Sequence, residues 1–169
     1  MLISEQIYTS RTLIRSLSEE ENFDSYLKWV QDKVNNQYIM GVNEKYTELE
    51  LRNYVKVKNL SKSAILLGIF EKNSMLHIGN IKYEPIDFQR RFSWIGLLLG
   101  EVAYRNMGLA GEVILASSHL LKEKYYINKL KLGVNEKNLQ AISAYRKVGF
   151  NMEEVSDSEH QLIMVKNLN

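Results

Sequence analysis

Between residues 94 and 125 the chain changes character twice, and the order of the changes restricts what it can fold into. An unbroken apolar run, Trp94-Ile95-Gly96-Leu97-Leu98-Leu99, is followed by Tyr104-Arg105-Asn106-Met107-Gly108-Leu109-Ala110-Gly111, after which Val113, Ile114, Leu120, Leu121 and Tyr125 recur at helical spacing. That is a strand, a turn of small residues and a helix N-terminus, in the order an anion site requires. The first amides of such a helix have no partner within it and point outward. Gly108, Ala110 and Gly111 let a ligand approach the backbone, the helix start carries partial positive charge, and Arg105 adds a formal one, so a phosphate or diphosphate fits. Close packing of a helix on a sheet selects small residues too, so a purely structural turn explains the same stretch. A P-loop needs Gly-Lys-Ser/Thr at its end and a dinucleotide fingerprint needs three patterned glycines; both are excluded by the residues present.

A chain of 169 residues, 45% hydrophobic and 25% charged, suits one domain spanning 1–169 with a sizeable core. The net charge is +2, with Lys and Arg scattered among nearly as many Asp and Glu, so no basic stripe marks a nucleic-acid or anionic-membrane partner. The absence of cysteine excludes a disulfide framework, a thiolate nucleophile and a thiolate metal site, and fits a cytoplasmic location. His77, His119 and His160 show no ligand spacing, so no metal is expected. Residues 1–17 contain no unbroken apolar segment, so neither a signal peptide nor a membrane span is expected there.

In chain order, Tyr8 to Leu17 reads as a first strand, and Ser18 with Glu21 has the form of a capping box opening a helix to about Val34, in which Trp29 is core or pocket wall. Asn35 to Tyr46 reads as a loop and Thr47 as the cap of a second helix. Ala64 to Phe70 is a strand, Glu71 to Ser74 a hairpin turn, and Met75 to Lys82 the returning strand. Pro85 places a connection before the strand Phe92 to Gly100. The continuous apolar character of that strand implies cover on both faces, hence an α/β fold with helices packed on a mixed sheet. Leu130 to Val134 is the next strand, Asn138 to Val148 a helix stopped by Gly149, and the remainder supplies one or two closing strands.

The last helix carries the second feature. Asn138 and Tyr145 are seven residues apart and so share one face, about 10.5 Å apart along the axis. An amide and a phenol on one face suit an extended ligand arm, the amide holding a polar section and the phenol giving a proton at the tip. The same residues are explained by an N-cap and a half-buried core tyrosine.

Taken together, the two stretches resemble the GNAT superfamily of acetyl-CoA-dependent N-acetyltransferases. Arg105-Asn106-Met107-Gly108-Leu109-Ala110 is similar to its Gln/Arg-x-x-Gly-x-Gly/Ala diphosphate loop, and Asn138 to Ala141 with Tyr145-Arg146-Lys147-Val148-Gly149-Phe150 to its second signature. Ser10 to Leu17 and Tyr26-Leu27-Lys28-Trp29 resemble the branch that contains the ribosomal-protein alanine N-acetyltransferases. The resemblance covers most of the chain and is strongest after Trp94.

It implies a single GNAT-like domain, with a mixed, mostly antiparallel central sheet flanked by helices on both faces. It also implies acetyl-CoA as co-substrate: main-chain groups of Leu98 and Leu99 on the pantetheine arm, Arg105 and the amides of Met107, Gly108, Leu109, Ala110 and Gly111 on the diphosphate, and Asn138 on the arm. Tyr145 protonates the leaving thiolate after direct attack by an amine in a ternary complex. The acceptor is a protein or peptide amino terminus or an amine on a small metabolite; a nucleotide-linked amino sugar, or a non-catalytic acyl-CoA-binding domain, is the alternative. A monomer or homodimer is expected. Two residues depart from the pattern. Asn106 stands at the first loop glycine, which calls for a left-handed backbone, and Trp94 stands where many relatives carry a Glu base, leaving Glu101, His77 and Asp87 as substitutes by location.

Overall fold

The apolar segment at residues 65–70 forms the middle of the sheet. In the computed structural model, which describes residues 1–32, 36, 45–155 and 160–168, this segment lies in strand β3 (Ile65–Glu71), where every residue but the last is buried. On one side of it lie β2 (Thr12–Ser16) and then β1 (Ile7–Tyr8). On the other side follow β4 (His77–Asp87), β5 (Phe92–Leu99), β6 (Lys129–Asn135), β8 (Gln161–Asn167) and β7 (Asn151–Val155). Among the described residues these make one eight-stranded sheet, in which every neighbouring pair is antiparallel except β5 and β6.

Helices cover both faces. Helices α1 (Asp24–Gln31) and α2 (Glu48–Leu60) bury Phe23, Tyr26, Trp29, Leu51 and Val55 against Leu13, Leu66 and Phe70. Helices α3 (Leu109–Tyr125) and α4 (Leu139–Lys147) bury Val113, Ile114, Leu121 and Ile142 against Ile81, Ile95 and Leu132 on the other face. Each fully buried aliphatic contributes about 1.5–3 kcal/mol, so these stripes rather than helix propensity hold the layers together. Beneath α3 the Ser117 hydroxyl donates to the Val113 carbonyl at 2.6 Å and lies 2.7 Å from the Tyr83 hydroxyl, which satisfies the polar end of a fully buried tyrosine. No helix among the described residues is long and apolar enough to cross a membrane.

Several sequence expectations change at the local level. The single first strand is two, because Thr9 and Thr12 close a tight turn: Thr9 N–H donates to the Thr12 carbonyl at 2.9 Å and Thr12 N–H to Thr9 Oγ1 at 2.8 Å. Ser18 does not cap α1. Glu21 is held by Arg15, Nη1 to Oε1 at 2.5 Å, and the helix starts at Asp24 after Phe23, which makes no side-chain cap. Thr47 does cap α2, with Glu50 N–H donating to its hydroxyl at 3.3 Å and its own N–H donating to Glu50 Oε2 at 2.7 Å. The expected end of α1 at Val34 and most of the loop from Asn35 to Tyr46 lie outside the described residues.

Pro85 does not end its strand either. It lies within β4, past the last pairing with β3 at Tyr83 and inside the register shift toward β5 between Tyr83 and Ile86, where no ladder bond requires its missing N–H; the Glu84–Pro85 peptide is cis. Strand β5, expected to be covered on both faces, has Trp94, Leu97, Leu98 and Leu99 half-buried and Gly96 exposed.

At the end of β5, α1 sits directly on the backbone. A Cβ on Gly100 would lie 1.9 Å from Cδ2 of the Trp29 ring, which is itself buried. Gly100→Ala is therefore expected to push α1 off the sheet, lowering stability by about 1–3 kcal/mol or more through overpacking. Urea unfolding of the variant beside wild type checks this; an unchanged midpoint would mean that α1 shifts freely.

Candidate active site

Strands β5 and β6 pair over only three positions: Phe92 with Lys129, Ser93 with Leu130 and Trp94 with Lys131. Beyond Trp94, β5 runs on along β4 to Leu99 and β6 along β8 to Asn135, so the two part and leave a wedge-shaped gap. The Gly100 amide donates to the Ile78 carbonyl at 3.0 Å. By the two-residue alternation of an antiparallel ladder, Gly96 and Leu98 also direct their main-chain groups to β4, and those of Leu97 and Leu99 face the gap. Of Leu98 and Leu99, then, Leu99 addresses the gap and Leu98 does not, its side chain packing with the α1–α2 cluster. Leu97 joins Leu99 there, a position with no distinguishing mark in the sequence. The apolar run stays half-exposed because it lines this opening.

The gap ends on the turn before α3. Asn106 has φ 62° and Gly108 φ 77°, so both glycine-favoured conformations of the loop are present, one supplied by asparagine. A Cβ on Gly108 would meet nothing within 4 Å, so the space in front of it is open. The first bond of α3 runs from Glu112 N–H to the Gly108 carbonyl, leaving the amides of Leu109, Ala110 and Gly111 without a partner inside the helix. The Leu109 side chain is buried at 2% exposure and anchors the helix start, whereas Met107 stands outward at 54%. Arg105 turns back to the strand: Nε donates to the Leu99 carbonyl and Nη2 to the Gly100 carbonyl, each at 2.9 Å, tying the loop to the end of β5. Gly111 has a packing reason to be small, since a Cβ there would lie 2.8 Å from Val148 Cγ1.

That contact sets the C-terminal end of α4, with Tyr145, against the first turn of α3. Asn138 is at the opposite end, beside the end of β6, where its N–H donates to the Asn135 carbonyl at 2.9 Å. Asn138 Oδ1 caps α4 by accepting from Ala141 N–H at 3.1 Å, which leaves its Nδ2 hydrogens for another acceptor. Tyr145 stacks edge-on against Phe150 with ring centroids 5.8 Å apart. Burial pushes its phenol up to about 12, so the hydroxyl keeps its proton throughout the neutral range.

The substitutes for a Glu base scatter. Trp94 stands at the apex of the gap, in the last β5–β6 pair. Glu101 accepts from Trp29 Nε1 at 3.1 Å under α1, at the far end of β5. His77 is buried with Nε2 2.8 Å from Asn80 Oδ1 and 3.0 Å from the Gly79 carbonyl. Burial lowers its pKa although those hydrogen bonds act the other way. Asp87 is on the closed side of the seam, accepting from Arg90 N–H at 2.7 Å. None of the three is brought to Trp94 by a shared contact.

Comparison with known proteins identifies the family and the fold. A family model described as an acetyltransferase (GNAT) domain matches residues 11–151. No curated protein matches the chain in sequence. Among solved structures, a ribosomal L7/L12 alpha-N-protein acetyltransferase in complex with coenzyme A superposes with TM-score 0.81 at 16% identity, covering 97% of this chain and 98% of that one. A GNAT-family acetyltransferase from Bacillus anthracis gives 0.79 at 18% identity with the same coverages of 97% and 98%. The spermidine N-acetyltransferase from Vibrio cholerae, in complex with coenzyme A and spermine, gives 0.78 at 15% identity over 95% of this chain and 96% of that one. At these identities the superpositions establish the fold, and the match over residues 11–151 establishes descent: the chain belongs to the GNAT acetyltransferase family and is an acyltransferase.

Proposed function

We propose that the protein transfers an acetyl group from acetyl-CoA to a primary amine by direct attack, with the gap between β5 and β6 as the seat of the thioester arm. The observation that carries this reading is the junction of that gap with the open turn before α3, where three helix amides have no partner inside the helix and a Cβ on Gly108 would meet nothing within 4 Å. The unpartnered amides of Leu109, Ala110 and Gly111 hold the diphosphate, aided by the partial positive charge of the helix start. The main-chain groups of Leu97, the Leu99 N–H and the free Nδ2 hydrogens of Asn138 hold the amides of the arm, the Leu99 carbonyl being taken by Arg105. Acetyl-CoA supplies the activated acetyl group. Tyr145 keeps its phenolic proton until the leaving sulfur takes it.

Trp94 offers no carboxylate at the apex, so the acceptor nitrogen loses its proton through water. The acceptor is a peptide amino terminus or a small-molecule amine; similarity to a ribosomal-protein acetyltransferase and to a spermidine acetyltransferase supports both.

Titration with acetyl-CoA, followed by thiol release against a panel of peptides, polyamines and amino sugars, tests the reading. Micromolar binding and release dependent on one acceptor class are expected. Absence of binding well above micromolar concentration would overturn it, whereas binding without release on any amine would leave an acyl-CoA-binding domain.

A further inference from the structure

The phosphate-facing loop is gripped from behind by a residue far away in sequence. Arg11, in the turn between β1 and β2, donates from Nη1 to the Met107 carbonyl at 2.8 Å, and from Nε and Nη2 to Glu112 Oε2 at 2.9 and 2.7 Å. The other carboxylate oxygen, Glu112 Oε1, accepts from the Arg11 amide and from the Ser10 hydroxyl, both at 3.1 Å. Arg11 and Glu112 keep 42% and 18% of their side-chain surface exposed. Beyond what the pair contributes to folding, it fixes the position of the loop carbonyl that Arg11 also holds.

Two consequences follow from elementary geometry. A trans peptide is planar with C=O and N–H opposed, so fixing the Met107 carbonyl toward Arg11 turns the Gly108 N–H the other way, away from the β1–β2 turn. Glu112 is in the first turn of α3, where its negative charge competes with any anion for the same helix end. Burial works against its ionisation, but hydrogen bonds from Thr9, Arg11 and Ser10 outweigh it and hold the carboxyl below its usual range. The carboxylate is thus ionised at neutral pH, and a guanidinium lies across it.

We propose that Arg11 is a positioning residue for cofactor binding: it aims the Gly108 amide and cancels the Glu112 charge, so that the start of α3 accepts a diphosphate. This rests on reading the loop as the diphosphate site. Arg11 touches no ligand in this scheme, and its effect is confined to the phosphate-bearing part of coenzyme A.

The test measures dissociation constants of coenzyme A, dephospho-coenzyme A and pantetheine for wild type, Arg11→Met, Arg11→Lys, Glu112→Gln and the Arg11→Met/Glu112→Gln double variant, with folding checked by circular dichroism. Arg11→Met is expected to weaken both nucleotide ligands by the same factor, roughly tenfold or more for one lost charge-assisted contact, while pantetheine stays within about twofold. Arg11→Lys should fall between, since it restores charge without the two-pronged geometry. Adding Glu112→Gln to Arg11→Met should recover part of the loss. Equal weakening of pantetheine, unchanged coenzyme A affinity in Arg11→Met, or no recovery in the double variant would each overturn the proposal while leaving the cofactor reading intact. If wild type binds pantetheine as tightly as coenzyme A, the loop holds no diphosphate and the proposal falls with that reading.

Discussion

Tyr145→Phe is expected to leave the acetyl-CoA dissociation constant nearly unchanged and to slow acetyl transfer by roughly 10²-fold, the ordinary magnitude for losing one general acid. The ring keeps its edge-on contact with Phe150, so packing survives and only the hydroxyl is lost. Comparing kcat with KM for acetyl-CoA separates the two effects, and unchanged kcat would remove Tyr145 from the chemistry. A pH profile adds an independent sign. As the proposed general acid Tyr145 would act in its protonated form, and burial raises its pKa to about 12, so that form persists through the whole accessible range. Activity should climb with pH as the acceptor amine loses its proton and should not decline by pH ~10, where an unperturbed tyrosine would be half ionised.

Gly108→Val should abolish measurable acetyl-CoA binding, at least about a 10²-fold loss, with the fold retained. Two effects act in the same direction. At φ 77° a β-branched residue is strained, costing about 1–2 kcal/mol of local stability. The new side chain also fills the open space at Gly108, where the proposed diphosphate would sit. Strain alone lowers the melting temperature without selecting among ligands. Calorimetric titration together with thermal unfolding therefore distinguishes the effects: a lowered melting point with full acetyl-CoA affinity would make the loop a structural turn and nothing more.

What could be read from the sequence was what is local. The strand, small-residue turn and helix at residues 94–125 are specified within a few residues of one another by period and side-chain size, and Asn106 and Gly149 take the left-handed conformations expected of them. Ser18 with Glu21 and Thr47 with Glu50 are the same kind of local pattern, yet only the second caps a helix. Glu21 reaches back to the Ser18 N–H at 3.4 Å, but the Ser18 hydroxyl accepts from Glu20 N–H at 3.2 Å and the helix starts only at Asp24, a delay that a four-residue motif does not carry. Pro85 misled for a similar reason: whether a strand tolerates proline depends on where its neighbours stop pairing. Asn138 shows that two readings of one residue can hold together, since capping α4 uses only its oxygen. The divergence of β5 from β6, and the reach of Arg11 to Met107, are relations between distant segments. No window of sequence contains them.

The seam at Phe92, Ser93 and Trp94 has a mechanical consequence. Only three residue pairs stitch β6, β8 and β7 to the rest of the sheet, although α3 and α4 pack across the junction. An extended molecule lying in the gap, bonded to β5 on one side and to the end of β6 or α4 on the other, takes the place of the missing rungs. Such a guest is a temporary strand. If the acetyl-CoA arm lies there as proposed, binding would lace that gap shut before the acetyl group moves.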